Sequence, residues 1–216
     1  MSVNPMEIAA DLGTVRIGHR IICLAEIDST NDVCWNIAQR GNADGLVVVA
    51  DWQRRGRGQG RRTWQTQPGE AILLSVLLLN ESDATASEIM PSVASIAVAG
   101  TVDTVVPGVV SLKWPNDVLI DGAKLAGILV EHRTIAGQHC VVIGIGMNVF
   151  AAPSVEEIGR RATCLADHAA GELSPLEFTR TLLRRLDAHI ADVTAGRIAA
   201  IRDTWISYSK REAVHQ

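Results

Sequence analysis

No stretch of this 216-residue chain is apolar for long enough to cross a bilayer as a helix. The longest aliphatic run, Ala71–Leu79, has nine residues and is interrupted by Ser75, against roughly 20 for a spanning helix. Cysteine is sparse and scattered: Cys23, Cys34, Cys140 and Cys164 include no C-x-x-C pair. That spacing argues against zinc or a disulfide framework and suits buried thiols in a reducing cytoplasm. Basic charge is short as well. With 20 Lys and Arg against 24 Asp and Glu, the net charge is −4, so the whole molecule lacks the footprint of a nucleic-acid binder and any basic site must be local. The N-terminus has no charged-then-apolar signal layout, and Glu7 and Asp11 argue against a transit peptide. There is no Walker A loop, no G-x-G-x-x-G opening a helix, no internal repeat, low-complexity tract or heptad run. A chain of this length with 47% hydrophobic residues can bury a full core, as one domain or one with a small appendage.

What is present is concentrated in a few stretches. Ser111–Glu131, SLKWPNDVLIDGAKLAGILVE, sets Lys113, Asn116, Asp117 and Lys124 among segments apolar enough for core strands. Asp121-Gly122 is a hairpin signal, because a tight turn demands positive φ. Val118–Ile120 and Lys124–Val130 are therefore expected to pair antiparallel. Pro115 removes a donor and fixes φ, so Lys113–Asn116 reads as a bend that can gather a lysine, an amide and a carboxylate. Such a cluster suits an anionic ligand and a metal; two solvated lysines around an ordinary hairpin remain the plain alternative.

The second unusual stretch is Arg54–Trp64, RRGRGQGRRTW, with five arginines and three glycines. Glycine lets the backbone approach a ligand closely, and Arg offers forked donors that match phosphate oxygens. A solvated arginine loop or a nucleic-acid patch would look similar, but the acidic remainder favours a small phosphate-bearing ligand. Such a loop is expected to be mobile when empty and to order around an anion. Third, Asp28-Ser29-Thr30-Asn31 offers several N-cap side chains before a helix that stops at Gly41. Read alone this is plain capping; exposed N–H groups at a helix start are also a ready pocket for a polar ligand.

Around these stretches the pattern predicts strands at Arg20–Ala25, Leu46–Ala50, Ala71–Leu79 and Cys140–Ile145, the last ending in Gly144-Ile145-Gly146-Met147-Asn148. Helices are expected over Thr85–Val106, with Pro91 a candidate start, and over Glu156–Ala170, Pro175–Ala195 and Ile198–Tyr208. The stripe Leu176, Thr179, Leu183, Leu186, Ile190 reads as core packing. Residues 1–14 read as a frayed lead-in. The fold class is α/β with a mixed, largely antiparallel sheet flanked by helices.

KWPND at 113–117, KLAGILVE at 124–131, DSTN at 28–31, GRG at 56–58 and GIGMN at 144–148 occur in the order and spacing of the biotin–protein ligases. The chain resembles that family's catalytic domain over roughly residues 20–208. The resemblance implies the class II synthetase-like fold of the biotin/lipoate ligases, with ATP and Mg²⁺ required. It also implies a two-step reaction: biotin is activated as biotinyl-5′-AMP, then passed to a lysine of a carrier such as the biotin carboxyl carrier domain of acetyl-CoA carboxylase. By the same resemblance Lys124, Arg57 and Arg62 are catalytic. Ser29, Thr30, Asn31, Gln53, Gly56, Arg57, Trp64, Lys124 and Gly127 hold biotin. Arg57, Gln59, Arg61, Arg62, Lys113, Asn116, Asp117 and Asn148 serve the nucleotide, with Asp117 the candidate carboxylate near Mg²⁺.

Two departures stand out. The family loop resembles G-R-G-R-x-G-R-x-W, whereas here Gln59 takes an arginine's place and Arg61 a glycine's, unless compensating one-residue shifts restore the pattern. The family's small C-terminal β domain and the winged-helix DNA-binding domain of its repressor type are also expected to be absent, leaving 1–216 as a single catalytic domain with no nucleic-acid or membrane partner. Lipoate or octanoate transfer on the same fold, and a non-catalytic biotin or adenylate binder, are the competing readings. A homodimer formed by strand pairing is a further expectation, since exposed sheet edges are usually covered.

Overall fold

Turn chemistry sets the longest ladder of the sheet. Strand β5 (Asp117–Ile120) meets β6 (Ala123–Ile135), and β6 meets β7 (Gln138–Asn148), through two-residue turns. In both turns the two central residues take positive φ: Asp121 at 49° and Gly122 at 72°, then Ala136 at 50° and Gly137 at 81°. This is the twist-matched hairpin geometry for which Asp-Gly is suited. The computed structural model describes residues 4–41, 43–60, 62–79 and 83–211. The remaining strands are β1 (Ile21–Ile27), β2 (Leu46–Gln53), β3 (Ala71–Leu79) and β4 (Val110–Lys113). All seven join one sheet in the order β1-β2-β3-β7-β6-β5-β4. Only β1 and β2 run parallel among the paired strands.

Strand β3 is a near-continuous apolar run because both of its faces are covered. Ile72, Leu74, Val76 and Leu78 join the main core beneath α3 (Asp83–Val102) and α5 (Pro175–Thr194), while Leu77 and Leu79 face α2 (Thr30–Ala38). On the main-core side β7 contributes Val141, Ile143, Ile145 and Met147. Strand alternation therefore turns Gly144, Gly146 and Asn148 to the opposite face. With nine residues, α2 covers only part of that face. The uncovered part is where the candidate site lies.

Three expectations change. Over its described residues, from Asn4 onward, the lead-in is not frayed (residues 1–3 lie outside the described residues): α1 (Pro5–Ala9) is capped by Asn4, and Ile8, Leu12 and Ile17 are buried in the main core. The Asp187 carboxylate accepts the backbone N–H groups of Val15, Arg16 and Ile17 at 2.7–3.0 Å, which ties this segment to α5. Pro91 lies inside α3 rather than at its start. Packing against the sheet and α5 outweighs the local cost of a missing helical N–H.

The helix expected over Glu156–Ala170 is replaced by the short α4 (Val155–Ile158) and a 3₁₀ turn, Leu165–Asp167. Gly159 takes the left-handed conformation, φ 70°, and stops α4. The chain then runs extended beside Lys124, whose N–H donates to Arg161 O at 3.0 Å and whose carbonyl accepts from Thr163 at 2.9 Å. Over its described residues the Gly-Arg stretch folds as a small hairpin. Trp64 N–H donates to Gly56 O and Gly58 N–H to Arg62 O, each at 2.8 Å. The last helix, α6 (Ile198–Ser209), follows α5 closely. No described helix is long and apolar enough to cross a membrane.

Candidate active site

The uncovered sheet face holds a cavity of about 300 Å³. Its floor is the glycine-bearing part of β6 and β7. A Cβ on Gly144 would come within 2.3 Å of Asn31 Oδ1, and one on Gly146 within 2.5 Å of the Trp64 ring. Both glycines are therefore required for the close approach of those side chains to the sheet. The Gly56–Trp64 hairpin forms the roof, and the strap 153–162 closes the side beyond Lys124.

One end of the cavity is built from the start of α2. Ser29, Thr30 and Asn31 are each only 3% exposed, and Ser29 makes no side-chain cap. The Thr30 N–H and hydroxyl reach Gln53 Oε1 at 2.8 and 3.1 Å, and Ser75 Oγ lies 2.7 Å from Thr30 Oγ1 and 2.5 Å from Asn31 Oδ1. The capping signal thus serves a buried polar cluster that opens into the cavity. Behind it stands Glu131. Its carboxylate accepts from Asn31 Nδ2 (2.8 Å), Trp35 Nε1 (3.1 Å) and both terminal nitrogens of Arg57 (2.7 and 2.8 Å). Arg57 also meets Asp32 at 2.9 Å. Burial pushes the Glu131 carboxyl up, but the hydrogen bonds from Asn31, Trp35 and Arg57 outweigh it and hold the group below the usual glutamate range.

The other end is cationic. Lys124 Nζ lies 2.6 Å from Asp117 Oδ1 and 5.4 Å from the centre of the Trp64 ring, and Arg160 grips Asp117 at 2.6 and 3.3 Å. Burial lowers the Lys124 pKa, opposed by Asp117 and reinforced by the charges of Arg160 and Arg62. Burial would raise Asp117, yet its bonds to Arg160 and Lys124 bring it below the usual range. Among the described residues, three buried polar atoms in this region have no hydrogen-bond partner: Arg57 Nε, Trp64 Nε1 and Asn148 Oδ1. Asn148 donates from Nδ2 to Thr163 O at 3.0 Å, so its acceptor remains available to a polar ligand.

Most residues singled out from the sequence come together here. Ser29, Thr30, Asn31, Gln53, Arg57 and Gln59 line the cavity, as do Arg62, Trp64, Asn116, Asp117, Lys124, Gly127 and Asn148. Asn116 is also clamped to β6, its side chain donating to Ile128 O at 2.9 Å. Lys113 does not join them: it is exposed on the edge strand β4 and does not line the cavity. Gly56 is buried beneath the Trp64 backbone instead of facing the cavity. Arg61 lies outside the described residues. Sequence reasoning missed Glu131, Ser75 and Arg160 as site residues. For Glu131 a signal existed, since alternation along β6 puts it on the same face as Gly127; for Arg160 none did, because its segment read as a helix.

The geometry does not fit Asp117 to a protein-held magnesium ion. Both of its oxygens are engaged by cations, Oδ1 by Lys124 and Oδ2 by Arg160. What the arrangement can do is bind an elongated acid with a polar head at α2 and an anionic tail at Lys124, beside a second anion-binding region at Arg160 and Arg62.

Residues 23–148 match the Biotin/lipoate A/B protein ligase family. The chain is 37% identical over 172 residues to the Biotin–[acetyl-CoA-carboxylase] ligase of Mycobacterium tuberculosis, covering 77% of this chain and 62% of that one. It is 29% identical over 210 residues to the Bifunctional ligase/repressor BirA of Bacillus subtilis, covering 96% of this chain and 65% of that protein. It therefore spans somewhat under two thirds of these relatives' lengths. Among solved structures, the biotin protein ligase from Aquifex aeolicus in complex with biotin and ATP superposes with a TM-score of 0.67 at 30% identity, over 81% of this chain and 71% of that one.

Proposed function

Because this chain belongs to the biotin/lipoate A/B protein ligase family, we propose that it is a biotin–protein ligase that forms biotinyl-5′-AMP and passes the biotinyl group to a carrier lysine. The observation that carries the reading is the polarity of the cavity's two ends. The buried hydroxyls and amide of Ser29, Thr30 and Asn31, with the half-buried amide of Gln53, suit a ureido head, and Lys124 suits a carboxylate tail. An octanoyl or lipoyl chain would place apolar carbon against those polar groups without hydrogen-bonding them. The relatives named for biotin and acetyl-CoA carboxylase point the same way.

In the first step a biotin carboxylate oxygen bonds to the α-phosphorus of ATP, and the α–β bridging bond breaks. Pyrophosphate leaves with that bond's electron pair. Two anions must meet, so fixed cations matter most where charge accumulates; Lys124 is the enclosed cation at that point. In the second step an uncharged carrier amine attacks the acyl carbon, the carbon–oxygen bond to phosphate breaks, and AMP and a proton depart. The mixed anhydride must be kept from water in between, a role suited to the hairpin roof and Trp64. Magnesium enters only as the nucleotide's companion ion, since Asp117 is committed to Lys124 and Arg160. We place the protein in the cytoplasm on its four free cysteines, and propose a homodimer through an open sheet edge at β4 or β1. A monomeric mass at tens of micromolar with biotin and ATP present would refute the dimer.

The test is pyrophosphate release with biotin, lipoate or octanoate, with and without a carrier domain. Biotin alone should support it, and folded Lys124→Ala should lose about 10²–10³-fold in rate. Turnover with lipoate only, or a near-normal rate in Lys124→Ala, would overturn the assignment.

A further inference from the structure

We propose that Arg160 grips the terminal phosphates of the nucleotide, and that Asp117 serves as the anchor that aims both Arg160 and Lys124. The proposal rests on the ligase reading above and adds to it a residue and the ligand groups it takes.

The geometry is that of one carboxylate holding two cations. Lys124 Nζ sits 2.6 Å from Asp117 Oδ1 and Arg160 Nη1 2.6 Å from Oδ2. The Lys124 and Asp117 side chains are each 12% exposed, that of Arg160 36%. Lys124 is thus the inner cation and Arg160 the outer one. A triphosphate whose α-phosphorus reacts beside Lys124 extends its β and γ groups outward, towards Arg160. A guanidinium has five N–H donors in a fixed fork. Asp117 occupies only part of that fork and holds it in orientation, which leaves donors for a phosphate at little ordering cost.

The backbone fixes the spacing between the two cations. Lys124 N–H bonds to Arg161 O, and Lys124 O accepts from Thr163 N–H. The strap carrying Arg160 is therefore stitched to the strand carrying Lys124, and Gly159 ends α4 just before it.

The surrounding charges agree. Lys124 feels the charges of Arg160 and Arg62, and Asp117 is bonded to Lys124 and Arg160, so around that carboxylate cations outnumber anions until an anionic ligand arrives. Arg57 is committed to Glu131 and Asp32 at the other end. Glu157 is the opposing charge on α4, and its carboxylate is drawn to the Ser154 N–H at 2.7 Å in the capping box.

Arg160→Gln and Arg160→Lys, each checked for an unchanged thermal midpoint, separate phosphate binding from mere support of Asp117. In biotin-dependent pyrophosphate release, the KM for ATP should rise about ten- to hundredfold in Arg160→Gln and recover in part in Arg160→Lys. Affinities for biotin and for a sulfamoyl analogue of biotinyl-adenylate, which has no β or γ phosphate, should shift by less than about twofold. Inorganic tripolyphosphate binding by calorimetry carries the same test without turnover, and Arg160→Gln should lose it. An unchanged ATP KM and tripolyphosphate affinity, or equal weakening of ATP and the analogue, would overturn the proposal. A folded wild-type chain that binds tripolyphosphate through Arg160 yet makes no biotinyl-adenylate would instead overturn the ligase reading.

Discussion

Glu131→Gln removes one negative charge from the point where the roof hairpin is fastened to the sheet. The wild-type carboxylate accepts four hydrogen bonds, from Asn31, Trp35 and twice from Arg57. Bonds to a charged group contribute about 1.5–3 kcal/mol each when well enclosed. The Arg57 side chain, however, is 34% exposed, Glu131 21%, and Asp32 remains as a second partner. Solvent screening and that remaining partner reduce the expected loss to about 1–2 kcal/mol. In a domain of this size such a loss lowers the melting temperature by roughly 2–8 °C.

The effect depends on pH in a defined direction. The folded-state pKa of Glu131 is depressed, so its contribution is fully present above the unfolded value, about 4.3, and is lost as pH falls through the folded value. The gap between wild type and Glu131→Gln should be constant near pH 7 and begin to close below about pH 4.5. Thermal melts from pH 7 downward check this. Limited trypsin digestion provides an independent reading, because a released Arg57 should speed cleavage within Arg54–Arg62. Equal stability at pH 7, a gap that persists unchanged at low pH, or an unaltered digestion rate would refute the latch.

Two further predictions follow from other parts of the fold. Gln59 lines the cavity where the family pattern places an arginine, so Gln59→Arg should slow dissociation of preformed biotinyl-adenylate by about five- to tenfold, through one charge-assisted bond in place of a neutral one. An unchanged or faster off-rate would show that position 59 does not face the phosphate. Asp187→Ala should cost about 2–4 kcal/mol in urea unfolding, because the backbone N–H groups of Val15, Arg16 and Ile17 lose their acceptor; an unchanged midpoint would show that the N-terminal segment is held by its apolar contacts alone.

What the sequence determined by itself was whatever depends on near neighbours. Ala71–Leu79 is apolar but for Ser75 and is a strand over that same span. Asp121-Gly122 turns because the needed φ is positive at both residues, and of the stripe Leu176, Thr179, Leu183, Leu186, Ile190 all but the half-buried Leu176 are buried, as the helical spacing implies. The motifs Ser29–Asn31, Asp117–Lys124 and Gly144–Asn148 pointed to one site, and the cavity gathers them. Tertiary structure alone decided the rest. Asp187 fastens residues some 170 positions away, and Arg57 finds Glu131 across 74; no local window contains such pairs. Arg160 read as part of a helix until Gly159 and the pairing to Lys124 drew its segment out beside the site. Asp117 read as a metal carboxylate, and only the arrival of two cations from separate elements assigned its oxygens. An ion pair is a property of where distant side chains converge in a low-dielectric interior, and that convergence is written in the packing of the whole sheet rather than in the residues on either side.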